Sequence, residues 1–130
     1  MFPAEQISVA IARDWRTVYD FAKEPENFSR WAKGLGASLR KVDDVWVADT
    51  AEGQVRVRFS PSNDFGVLDH WVRLPSGDEI YIPLRVIANG RGALAQFTLY
   101  RLAGVSDDAF ARDAESVSVD LAALKALMEV

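Results

Sequence analysis

The sequence predicts an α+β domain: a curved antiparallel sheet of meandering strands, two short helices after the first strand, and one long C-terminal helix against the sheet. Three observations carry that prediction. Residues 65–74, 79–88 and 93–102 read as three long strands, and the turns between them, 75–78 and 89–92, hold Gly and Asx residues that tolerate positive φ. From Phe110 to Met128 apolar residues recur at steps of four and three, the stripe of a helix buried along one side. Residues 15–36 break into two short helical stretches. At 130 residues the chain is one domain, 1–130, with a single core.

Taken in order, Ile7, Val9 and Ile11 alternate with Ser8, Ala10 and Ala12, a strand with one apolar face. Arg13-Asp14 ends it, and Asp14 is placed to cap a helix over 15–23 in which Trp15, Val18, Tyr19 and Ala22 share a face. Glu24-Pro25 breaks that helix. Pro25 suits the first position of a second one carrying Phe28 and Trp31, which Gly34 and Gly36 close. The period then changes to two, giving strands over 37–42, 45–50 and 54–60 before a loop leads into the long set. Gly104-Val105 ends the sheet. Ser106 caps the final helix, with Asp107 and Asp108 in its first turn and a stripe of Phe110, Ala114, Val117, Leu121, Leu124 and Met128. The concave face of such a sheet must be covered, and this helix is the only element long enough.

Alternation and turn length give a register. Thr50 opposite Val55 sets Ala48 against Val57 and Trp46 against Phe59. Phe59 opposite Phe65 sets Val57 against Val67 and Val55 against Asp69. Leu74 opposite Glu79 sets Trp71 against Ile82 and Asp69 against Leu84, while Asn89 opposite Gly92 sets Leu84 against Phe97 and Ile82 against Leu99. The inner face is then Trp46, Ala48, Val55, Val57, Phe59, Val67, Trp71, Ile80, Ile82, Leu84, Val86, Ala95, Phe97 and Leu99. The outer face takes Arg56, Arg58, His70, Arg85, Gln96 and Thr98.

Composition narrows the function classes. The chain is 49% hydrophobic and 26% charged with a net charge of −4 and no Lys/Arg run, so nucleic acid and anionic membrane surface are poor partners. With no cysteine and one histidine, thiol catalysis and a His- or Cys-built metal site are excluded, and no cofactor or metal is expected. No apolar run approaches the ~20 residues of a membrane span, and the N-terminus lacks the basic flank of a signal peptide, so the expected location is cytoplasmic. Nothing matches a phosphate loop or a nucleophile elbow.

The informative residues are the polar ones left on the predicted inner face: Thr50, Asp69, Arg73 and Arg101. A mid-strand carboxylate there is costly unless paired, hydrogen-bonded or protonated. One reading is a ligand cavity between sheet and helix, lined by Trp46, Val57, Phe59, Trp71, Leu84, Phe97 and Leu99, with Asp69, Arg73 and Arg101 orienting the ligand. The other satisfies Asp69 internally, through Arg73 or Arg101, and lets the arginines reach solvent or pair with Asp107, Asp108 or Asp113. Trp15 and Trp31 pack the short helices, Trp31 being also placed to line a cavity mouth.

These segments resemble the START/Bet v1-like superfamily, also called SRPBCC or polyketide cyclase/dehydrase-like. Residues 7–12 and the Asp14-Trp15…Val18-Tyr19…Phe21 stretch resemble its first strand and helix; Asn27-Phe28…Trp31 resembles its second helix. The strands at 65–72, 83–90 and 97–101 and the closing helix look like an uncharacterised bacterial branch. The resemblance implies a helix-grip fold with a cavity between sheet and last helix. It leaves three functions: binding a small apolar or aromatic metabolite; a cyclase/dehydrase-like reaction with Asp69 as general acid or base; or interaction, including homodimerisation, through the outer surface of a filled core.

Overall fold

A computed structural model describes all residues, Met1–Val130. The element order is β1 (Ala4–Ile11), α1 (Trp15–Ala22), α2 (Pro25–Trp31), α3 (Lys33–Gly36), β2 (Arg40–Val42), β3 (Val45–Thr50), β4 (Gly53–Phe59), β5 (His70–Arg73), β6 (Glu79–Ile82), β7 (Leu84–Asn89), β8 (Gly92–Tyr100) and α4 (Asp107–Met128). The strands are antiparallel and ordered β1-β8-β7 and β2-β3-β4-β5-β6. Helix α4 packs on β1, β8 and α2, which is the helix-grip arrangement expected from the sequence. No helix is long and apolar enough to cross a membrane.

The local signals act as expected in the helices. Asp14 caps α1 by accepting from the N–H groups of Arg16 and Thr17, and Ser106 caps α4 by accepting from Ala109 N–H. Pro25 opens α2, where its missing N–H costs nothing. Gly34 and Gly36 do not close the helical pair but lie in a third short helix, α3. Leu121, Leu124 and Met128 of the α4 stripe are buried with Ile11, Leu84, Val86 and Ala95. A smaller second cluster joins Ala48, Val55, Val57 and Val72.

The strands differ from expectation in two places. The single strand expected over 79–88 divides at Pro83, which has no N–H for the ladder, so β6 pairs with β5 and β7 with β8. The β3–β4 register is shifted by two residues, pairing Thr50 with Gly53 and Ala48 with Val55, which leaves the faces as expected. The β5 register is shifted by an odd number, which inverts its faces. Leu74 N–H donates to Asp78 O, so the β5–β6 turn is one residue tighter than expected and Arg73, not Leu74, lies opposite Glu79. Gly77, at φ +93°, supplies the left-handed residue that such a loop needs. On the other side Phe59 pairs with His70. Residues 60–69 do not form the first half of a long strand: Asn63 holds a loop there, its Oδ1 accepting from Phe65 and Val67 N–H.

As a result His70 and Val72 face inward and are buried, while Asp69, Trp71 and Arg73 turn to the outer side. There the Arg58 guanidinium lies 4.1 Å from the Trp71 ring centroid, and Trp71 stacks on Tyr81 at 5.3 Å.

Candidate functional site

Between the sheet and α4 lies a cavity of about 130 Å3. Its floor is one residue from each of four strands: His70 of β5, Ile82 of β6, Leu84 of β7 and Phe97 of β8. Phe28, Trp31, Ala32 and Leu35 line one side, and Ser116, Val117, Asp120 and Leu121 of α4 line the other, leaving the hollow partly open. The α4 residues fall at helical spacing, so one face of the helix supplies them all. A second compartment of about 310 Å3 adjoins, between β6, β8 and the start of α4. Ile82 and Phe97 line both compartments and stand between them; Ile80, Leu99, Val105 and Asp113 belong to the larger one.

His70 is 3% exposed and sits among aromatic rings, with the Phe28 centroid at 5.6 Å and that of Phe59 at 5.9 Å. Burial holds its pKa below the ordinary 6.5, against the opposing pull of the Leu68 carbonyl and of Asp69, so the ring is neutral at pH 7. Its Nδ1 lies 3.1 Å from Leu68 O, which accepts only if Nδ1 carries the proton. The other ring nitrogen, Nε2, is then a lone-pair acceptor, and no protein group donates to it. The Trp31 indole Nε1–H is buried without an acceptor and is itself sealed from solvent. Asp120 accepts from Lys33 N–H at 3.2 Å, and burial pushes its pKa above the usual carboxylate range.

The residues expected to form the site separate into several places. Leu84 and Phe97 line the small compartment, and Leu99 and Phe97 the larger one. Trp46, Val57 and Phe59 face an open groove of about 490 Å3 between the α1–α2 junction and β3–β4. Trp71 and Arg73 are on the outer face, in a shallow depression with Arg56 and Glu79. Arg101 is not in the cavity either; it pairs with Asp107 at 2.6 Å and donates to Val105 O, anchoring the start of α4.

Asp69 is buried, but as a strut rather than a cavity group. It falls opposite Pro83, between the Val67–Arg85 bridge and the His70–Ile82 pair. Its Oδ1 accepts from Leu84 N–H and Arg85 Nε–H, both at 2.9 Å, and its Oδ2 from Arg85 Nη2–H at 2.8 Å and the Tyr81 hydroxyl at 2.6 Å. The expected internal partner is therefore Arg85, not Arg73 or Arg101. Burial pushes the Asp69 pKa up, but the donors from Arg85, Tyr81 and Leu84 together outweigh it and hold the carboxyl below the usual range. Ionised and saturated on the outer side, Asp69 has no position from which to exchange protons with a cavity ligand.

Sequence reasoning placed His70 outside and left Phe28 and Asp120 unassigned. The signal for Asp120 was present: it lies on the face of α4 between Val117 and Leu121. No group of three His, Asp or Glu side chains converges in a way that holds a metal ion.

No family model matches the sequence, and no curated protein matches it. Solved structures do share the fold. XoxI from Bacillus cereus is 14% identical over 96% of this chain and 94% of its own, with a TM-score of 0.72. The Aha1 dimer from Colwellia psychrerythraea is 13% identical over 98% and 97%, also at 0.72. Ara h 8.0201 is 9% identical over 98% of both chains, again at 0.72. The chain has the Bet v1-like helix-grip fold.

Proposed function

We propose that this protein binds a small apolar or aromatic molecule in the cavity between the sheet and α4. The observation that carries the reading is the composition of the small compartment's wall: nine of its twelve residues are hydrophobic, and the polar remainder is confined to His70, Ser116 and Asp120. The hollow is larger than the voids a close-packed interior ordinarily leaves, which supports the reading. The test is native mass spectrometry of freshly purified protein, repeated after denaturation, alongside thermal melting with single-ring compounds. A mass excess released on denaturation, or a melting temperature that rises with ligand concentration, supports the reading. A bare mass together with no shift for any apolar ring would overturn it.

A second reading is an interaction module, and one observation favours it. Phe2, Tyr100, Tyr81 and Trp71 form a row of neighbouring rings on the outer face, with centroid separations of 6.3, 6.4 and 5.3 Å. The Colwellia psychrerythraea Aha1 structure is described as a dimer. Light scattering at micromolar concentration decides it: a monomer in which Trp71→Ala changes nothing removes this reading.

A further inference from the structure

The small compartment contains a mismatch between what its walls offer and what they satisfy. An apolar ring would fill its volume, since a cavity of about 150 Å3 takes one benzene, against about 130 Å3 here. Such a ring would leave one polar atom of the wall without a partner: His70 Nε2, an acceptor because Nδ1 carries the proton shared with Leu68 O. An acceptor that gives up water and receives nothing in return costs about 1–3 kcal/mol, so a wall built for a hydrocarbon would not carry it. The wall also contains no Lys or Arg, while it does contain the carboxyl of Asp120. A ligand anion would enter with no counter-charge and one repelling neighbour.

Resting on the cavity reading above, we propose that the compartment selects a neutral single ring bearing a hydroxyl, a phenol-type compound, over an apolar ring or an aromatic carboxylate. The hydroxyl donates its proton to His70 Nε2. The ring itself packs against Phe28, Leu84, Phe97 and Leu121. Recognition is therefore by a histidine acting as acceptor on β5, set among apolar and aromatic side chains.

His70 is the single histidine of the chain, so its ring nitrogens give one unambiguous pair of 15N signals. The experiment titrates the intact protein with phenol, toluene and benzoate, reading affinity by calorimetry and the Nε2 shift by long-range 15N–1H spectra. The expected result is that phenol binds at least as tightly as toluene despite its costlier desolvation, and moves Nε2 upfield as it becomes a hydrogen-bond acceptor. Toluene leaves that signal in place, and benzoate binds most weakly. In His70→Phe, phenol affinity falls roughly threefold to tenfold, the worth of one net hydrogen bond, while toluene is retained. Toluene binding with phenol excluded, an Nε2 shift that is the same for both, or benzoate binding tightest overturns the proposal while leaving the cavity reading intact. Binding by none of the three overturns both. The ligand comparison on the unmodified chain decides the matter even if a variant does not fold.

Discussion

Replacing Asp69 separates a structural carboxylate from a catalytic one. In Asp69→Ala the buried Leu84 N–H loses its acceptor, which costs about 1–3 kcal/mol. The Tyr81 hydroxyl, on a residue 37% exposed, loses a bond that water partly replaces, worth about 0.5–1 kcal/mol. Arg85 contributes less than its two bonds suggest, because its side chain is 46% exposed and returns to solvent once released. The total is a loss of about 2–4 kcal/mol. Asp69→Asn keeps an oxygen for Leu84 and costs about half as much. Urea denaturation measures both. The pH profile sharpens the test. The folded carboxyl titrates below its ordinary value of 3.8, so its stabilisation is complete above that pH and is lost as pH falls through the folded value. In Asp69→Asn that part of the acid-side loss disappears. A variant within 0.5 kcal/mol of the parent at pH 7, with an unchanged acid limb, would refute the strut; this threshold is about the level of an ordinary surface substitution.

Three further outcomes follow from the same geometry. The His70 ring titrates below 6.5, and since a histidine with a lowered folded pKa resists the proton that its unfolded form takes up, its contribution to stability is full above pH 6.5 and falls as pH drops below it; NMR titration of the single ring together with melting at pH 7.5 and 5.5 checks both. Gly66→Ala places a Cβ 2.0 Å from Val86 O at a φ of +70°, which costs roughly 3 kcal/mol or more, while Gly77→Ala meets no neighbouring atom and loses only the conformational part; thermal melts that rank them the other way would contradict the packing of residues 66–68 on β7. Phe97→Ala removes one of the two side chains between the compartments, so it destabilises by about 2–3 kcal/mol and admits a two-ring compound such as naphthalene that the parent excludes, read by ligand titration.

How far the site was legible depended on which signal governed each segment. Helix ends were set by side chains within three residues, Asp14 and Ser106 among them, and such local chemistry is visible in a sequence. The β7–β8 register was equally local, fixed by the tight turn between Asn89 and Gly92, and Leu84 lies opposite Phe97 as expected. Strand β5 has no such anchor. A loop held by Asn63 precedes it, and the turn that follows is closed by Leu74 and Asp78, so two separate uncertainties fixed one parity. Within 69–73 the apolar residues conflict, Trp71 on one side and Val72 on the other. The charges do not: Asp69 and Arg73 share the parity of Trp71. Arg73 reaches solvent, and Asp69, although buried, finds Arg85 and Tyr81 only on the outer side, while the indole lies half-exposed under the Arg58 guanidinium, so charge was the better guide. Following it would have placed His70 inside.

Pro83 connects these observations. A proline at the centre of a long strand removes one ladder donor, and here the gap is the place where the two groups of strands part and Asp69 takes over the neighbouring Leu84 N–H. Beyond it, Thr98 N–H still reaches Pro83 O, but β6 and β8 do not continue as a ladder, and the larger compartment lies between them. An uninterrupted strand in the β7–β8 register would zip that gap and bring Ile82 opposite Leu99. The Asp69–Arg85–Tyr81 cluster spans the break on the outer side, with hydrogen bonds of 2.6–2.9 Å. Asp69, Arg85 and Tyr81 all lie outside the wall of the small compartment. Loss of Asp69 should therefore weaken ring binding only in proportion to the fraction of protein it unfolds, whereas loss of His70 should change which ring is bound.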